Sequence, residues 1–327
     1  MTIQSEARST APDSIKSREA LRAAQLYYLQ DLTMDAIARE LHTSRSSVSR
    51  LLSFARETGL VEISIHSPLD LSTRTQHEIR TRHGVTAHVV PVPDRISEVD
   101  RLERVAISAA RILSGLVDSN MTIGIAWGST LSAMGRHLLS KKTHNVHLVQ
   151  LNGAANTRTS GIPYAGEILS RFGAAFGAEP HQFPVPALFD DPATKQALFR
   201  ERSIRRVLEL QRRTDLAVFG LGSPQAVVPS HVYAGDYFDA DDHEILRTEG
   251  VVGDVATVFY RADGSDDGIA LNARSSGPSL DEMRAIPRRL CVVSGLSKLE
   301  SLRGALEAGI MTDLVVDEDT ARHLVDA

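Results

Sequence analysis

The sequence predicts an α/β protein with a small helical module in front of it. Three observations carry this. Beyond Gly84, apolar runs of four to eight residues alternate with stretches of helical periodicity. The first 66 residues instead hold three short helical patterns and then one alternating segment, 61–65. The chain has 327 residues, 42% of them hydrophobic and 24% charged, which suits a sizeable core and about two domains.

Composition excludes several classes. No window approaches the roughly 18–20 apolar residues of a membrane span. The N-terminal segment lacks the apolar core of a secretory signal, so a cytoplasmic location is expected. Cys291 is the only cysteine, which rules out an internal disulfide framework and a cysteine-rich zinc site. The formal net charge of -5 argues against nucleic acid along the whole chain. Residues 1–66 nevertheless carry eight basic and eight acidic side chains, so the whole deficit lies beyond them. Within 43–56 there are three arginines and no acid.

Residues 1–16 are Ser-, Ala- and Pro-containing without periodicity and read as a disordered leader. A first helix follows from Ser17, with Leu21, Ala24 and Tyr28 on one face. A short second helix turns Ile37, Ala38 and Leu41 inward. Ser44 caps a third, whose inner face is Val48, Leu51, Leu52 and Ala55. Gly59 ends it, and the 61–66 segment alternates as a strand. Residues 17–66 thus read as a winged helix-turn-helix. His42 stands in the turn where glycine is common and can take a left-handed conformation at modest cost. The outer face of the third helix presents Ser44, Arg45, Ser46, Ser49 and Arg50. Serine hydroxyls suit phosphate oxygens and arginine can bind guanine bidentately, so these five are the candidate contacts to double-stranded DNA. The bland alternative is a helical interaction domain with a solvated arginine-serine face.

Residues 67–83 look like a polar connecting helix, and 84–327 form the larger domain. Its expected strands are 87–92, 122–127, 146–151, 215–222, a segment near 255–260, 290–295 and 313–316. Helices are expected at 98–115, 130–140, 163–177 and 297–308. Apolar strands separated by helices imply a mainly parallel sheet.

Read with the stretch LTMDAIARELHTSRSSVSRLLSFARETGLVEI, four later segments carry a family resemblance: GIAWGSTL (124–131), FGLGSP (219–224), EGVVGDVATVFY (249–260) and SGLSKLESLRGALEAGIMTDLVVDEDTARHL (294–324). Together they resemble the SorC family of bacterial transcriptional regulators, from about residue 18 to the end. The resemblance implies a Rossmann-like effector domain. That domain is similar to ribose-5-phosphate isomerase, glucosamine-6-phosphate deaminase and the CoA transferases. It also implies that a sugar, polyol or sugar phosphate binds there and alters DNA affinity, and that the chain assembles as a homodimer or homotetramer.

The same segments have a physical reading. Gly128, Ser129 and Thr130 lie between a strand and a helix, where hydroxyls and free N–H groups can cradle phosphate or sugar hydroxyls. Asn152 and Gly153 end the next strand; the family tends to show two glycines here, so the asparagine is a departure. Gly222 and Ser223 offer further donors at a strand end, or simply a turn before Pro224. Asp254 can accept two vicinal hydroxyls, or can cap a turn. Lys298 in the first turn of a helix is a candidate anion site, against the alternative of a solvated lysine. These nine are the candidate effector contacts.

A rival reading is a sugar-phosphate isomerase or deaminase with an appended DNA-binding domain. That chemistry needs a positioned base and a matching acid, and no motif supplies a second carboxylate beside Asp254. No catalytic residue, cofactor or membrane partner is expected. The histidines show no HExxH or HxH spacing, so no metal site is expected either.

Overall fold

A computed structural model describes residues 11–61, 71–93, 95–228 and 230–326. The chain divides into two compact units, Met1–Leu69 and Asp70–Ala327.

The first unit holds helices Ala11–Tyr28, Met34–Glu40 and Arg45–Glu57. The first helix begins at Ala11 rather than Ser17, so it takes in part of the expected leader. Its inner face is Ala20, Ala23, Ala24 and Leu26, mostly small residues that let it approach the third helix. Of the expected face, Ala24 is buried and Tyr28 packs on the core, whereas Leu21 is 41% exposed. Thr33 Oγ1 accepts from Ala36 N and Ser44 Oγ from Ser47 N, capping the second and third helices. His42 adopts φ 49° in the turn between them. Ile37, Val48, Leu52 and Ala55 complete the core. The expected wing over 61–66 lies, past Val61, outside the described residues, as do residues 1–10 of the leader.

The second unit is built on a seven-stranded sheet: β1 Thr86–Val90, β2 Thr122–Ile125, β3 His147–Gln150, β4 Glu179–His181, β5 Leu216–Gly220, β8 Arg288–Val293 and β9 Asp313–Asp317. A separate hairpin holds β6 Val251–Val255 and β7 Val258–Arg261. The sheet order is β1-β9-β8-β5-β2-β3-β4, and every pair in it is parallel. Successive residues feed opposite core layers. Leu216, Val218, Leu290 and Val292 face one; Ala217, Phe219, Cys291 and Val293 face the other. With both faces covered, the strands read as unbroken apolar runs. Cys291 is fully buried, and desolvation pushes its thiol up, away from thiolate chemistry.

Three expectations change. The helix Leu71–His83 is not a separate connector. Its Ile79, fully buried, joins the core cluster of Ala87 and Val89. It therefore belongs to the second unit, which starts near residue 70 rather than 84. The single strand near 255–260 is a hairpin whose turn residues, Ala256 and Thr257, hold φ 47° and 65°. Such turns usually carry Asn-Gly, so no local turn signal marks this one. The helix expected over 130–140 is shorter, Ser129–Gly135. Among the described residues, no helix is long and apolar enough to cross a membrane.

Candidate functional site

At the carboxyl ends of the central strands lies a cleft. Gly128, Ser129 and Thr130, after β2, form one wall. Asn152, after β3, and Gly222, after β5, line it further in. Asp254 reaches it from β6, and Lys298 from the turn after β8. These seven nominated residues come together although they are up to 170 positions apart in sequence.

The polar groups in the cleft are buried. Asn152 is 1% exposed, Asp254 5% and Lys298 7%. Lys298 is not a solvated lysine: its Nζ donates to Leu221 O at 2.9 Å. Desolvation pulls its pKa down, opposed by the nearby Asp254 charge. Burial pushes the Asp254 carboxyl up to about 6. The Thr257 N–H, the neighbouring Tyr233 hydroxyl and the Lys298 charge keep it from rising further. Asp254 Oδ2 accepts from Thr257 N at 3.2 Å, so the hairpin turn holds that oxygen. Asp254 Oδ1 and Asn152 Oδ1 are buried without a hydrogen-bond partner, and Tyr233 Oη beside Asp254 makes no bond of good geometry. Orphaned acceptors cost free energy unless a donor reaches them.

The surroundings fix these groups. Asp317, fully buried, accepts from Gly295 N at 2.8 Å, from Thr320 and from Arg101 Nη1 at 2.7 Å. It thereby ties the loop that carries Lys298 to β9. Ser301 Oγ donates to Gly222 O at 2.7 Å, next to the Leu221 carbonyl that Lys298 holds.

Two nominated residues do not line the cleft. Gly153 is a packing glycine: its carbonyl accepts from Trp127 Nε1 at 2.8 Å, its N–H donates to Ser276 Oγ, and a Cβ would lie 2.3 Å from Val185 O. Ser223 organises the following turn, accepting from Gln225 N and donating to Ser297 O. Sequence reasoning missed Ser230, His231 and Thr257, which do line it. Only Thr257, inside the EGVVGDVATVFY segment, had any signal, and the unrecognised turn hid it. Beside His231 stand Trp127, Tyr164 and Tyr237. The indole stacks on Tyr237 at 5.4 Å, and the Tyr164 ring lies 4.4 Å from His231.

In the first unit, Ser44, Arg45, Ser46, Ser49 and Arg50 are all exposed at or near the start of the third helix. Ser44 is engaged as the cap and also contacts the Ser46 and Ser47 hydroxyls. Arg50 Nη2 donates to Ser47 Oγ at 3.3 Å, and Arg45 Nε lies 3.9 Å from Asp35.

The chain thus combines a three-helix N-terminal unit with a parallel α/β unit that carries a polar cleft at its strand ends. Residues 67–326 match the family model described as "Putative sugar-binding domain". The chain is 30% identical over 318 residues to the deoxyribonucleoside regulator of Bacillus subtilis, covering 96% of this chain and 99% of that one. It is 24% identical over 309 residues to the sorbitol operon regulator of Klebsiella pneumoniae, covering 94% and 98%. The full-length crystal structure of that regulator, SorC, superposes with a TM-score of 0.77 over 94% of this chain and 98% of its own. A domain of "a possible sugar-binding transcriptional regulator" from Arthrobacter aurescens is 54% identical, with a TM-score of 0.74 over 80% of this chain and all of its own. The chain belongs to the SorC family of sugar-binding transcriptional regulators. These relatives are regulators rather than enzymes, which sets aside the isomerase alternative.

Proposed function

We propose that the cleft takes a sugar, polyol or sugar phosphate, and that its occupancy controls the affinity of the third helix for operator DNA. The observation that carries this is the pair of buried, unpartnered acceptors, Asn152 Oδ1 and Asp254 Oδ1, in one cleft with the Lys298 ammonium. A polyhydroxylated ligand supplies the missing donors: its hydroxyls donate to the two oxygens, and an anomeric or phosphate oxygen accepts from Lys298. Ser129 and Thr130 add hydroxyls to the same lining. The family description and the sugar-linked names of the relatives support the same class.

On DNA, Ser44, Ser46 and Ser49 fix register on phosphates, while Arg45 and Arg50 reach further, Arg50 to base edges. A two-fold operator requires at least a dimer, so the regulator works as a homodimer or homotetramer. Control follows if the effector binds two assembly states with different affinity.

Calorimetric titration with sugars, polyols and their phosphates, each paired with an operator mobility shift, tests this. Saturable binding that changes operator affinity is the expected result. Chemical turnover of the bound sugar, or the absence of any binder in all three classes, overturns the reading.

A further inference from the structure

Beyond the cleft, the sheet edge brings together three residues that the effector reading does not use. His147 opens β3, and Glu179 and His181 flank Pro180 in β4. The parallel register sets His147 beside Glu179 and Val149 beside His181. Because side chains alternate along a strand, Glu179 and His181 share a face, and register places His147 on it too. His147 Nδ1 and His181 Nε2 are 3.1 Å apart. Glu179 Oε2 lies 3.7 Å from the first and Oε1 3.8 Å from the second. The two imidazoles are partly buried and the carboxylate is exposed.

We propose that His147, Glu179 and His181 form a site for a divalent transition metal, zinc in the first instance, at the end of β3 opposite Asn152. The donor set is two imidazole nitrogens and one carboxylate oxygen, the mixture that zinc accepts and that calcium or magnesium, which prefer oxygen ligands, do not. Tetrahedral bonds of about 2.1 Å set ligand atoms roughly 3.4 Å apart. The two imidazole nitrogens stand at 3.1 Å and a different Glu179 oxygen faces each, so rotation of the exposed carboxylate has to bring one oxygen to both, starting from ligand atoms within 4.8 Å of one another. Three protein ligands leave the fourth position to water. Arg206 lies within electrostatic reach of His181 and opposes a cation; the Glu179 carboxylate counters it. Spacing rules miss this cluster because its third donor arrives through strand register, not through sequence.

The test is calorimetric titration of the chelator-stripped, full-length chain with Zn²⁺ alone, alongside thermal unfolding with and without the ion. One saturable site per chain and a Zn²⁺-dependent rise in Tm are expected for the natural sequence. His147→Ala and His181→Ala should each lose both effects while keeping the metal-free Tm near that of the natural chain. Glu179→Gln should weaken the binding, and excess Mg²⁺ should not compete. If either histidine variant unfolds, His181→Asn serves in its place. No saturable binding by the natural chain, or undiminished binding after both histidines are replaced, overturns the proposal.

Discussion

Gly222 and Asp254 face each other across an isolated antiparallel bridge, with Gly222 N donating to Asp254 O at 2.9 Å. A Cβ on Gly222 would lie 1.7 Å from Asp254 Oδ1, one of the two unpartnered oxygens of the cleft. The absence of a side chain at 222 is therefore what lets the carboxylate sit there. Gly222→Ala should displace it, destabilise the protein by about 1–3 kcal/mol and abolish effector binding. Urea unfolding and calorimetric titration read the two effects separately.

The Asp254 carboxyl carries a pH signature. Its pKa is about 6 in the native state against 3.8 in the unfolded chain. Between those values the native state holds a proton that the unfolded state releases. Its stabilising contribution in the ligand-free protein is thus complete below the lower value and is lost as pH rises through about 6. Hydroxyl donors favour the ionised form, so effector affinity should rise over the same window. Titrations on either side of pH 6 check the slope, which Asp254→Asn should flatten.

Lys298→Met keeps the length and apolar packing of the side chain but removes the ammonium. Effector affinity should fall by about 2–5 kcal/mol, as for a buried charge left unpaired. Operator binding without effector should persist. Loss of operator binding in this variant would show that the two sites are not separable.

Arg50→Ala should do the reverse. Its side chain is exposed and, among the described residues, hydrogen-bonds to the Ser47 hydroxyl, so folding should be unaffected. Operator affinity should drop by about 1–3 kcal/mol with relaxed sequence preference, while effector titrations stay unchanged. Mobility shifts on operator and mismatched DNA distinguish base reading from phosphate contact.

Trp127 is the sole tryptophan, lines the cleft and stacks on Tyr237. Its fluorescence should change on effector binding. An unaltered spectrum at a saturating concentration established by calorimetry would place the effector elsewhere.

The strands were readable because a sheet buried on both faces needs continuous apolar runs, as at Leu216–Gly220 and Arg288–Val293. Gly128, Asn152, Asp254 and Lys298 stood out because strand ends of such sheets hold small and polar residues where ligands bind. Other features left no local trace. Among its described side chains, helix Leu71–His83 commits Ile79 to the core, too little for a pattern. Ala256 and Thr257 turn without glycine or asparagine. Gly153 and Ser223 have the composition of ligand residues, yet neighbouring backbone and side-chain groups claim them. His231 reaches the cleft from a helix of four residues, below the length at which periodicity speaks.

The pairing of β1 with β9, Thr86 beside Asp313, has a consequence for biogenesis. The domain's first strand docks on its last, so the sheet cannot close until nearly all of that domain has left the ribosome. The helices of the first unit build a core from one another, within residues 20–61. Each new chain thus passes through a period in which the residues of its first unit have all emerged while the sheet of its second is still open.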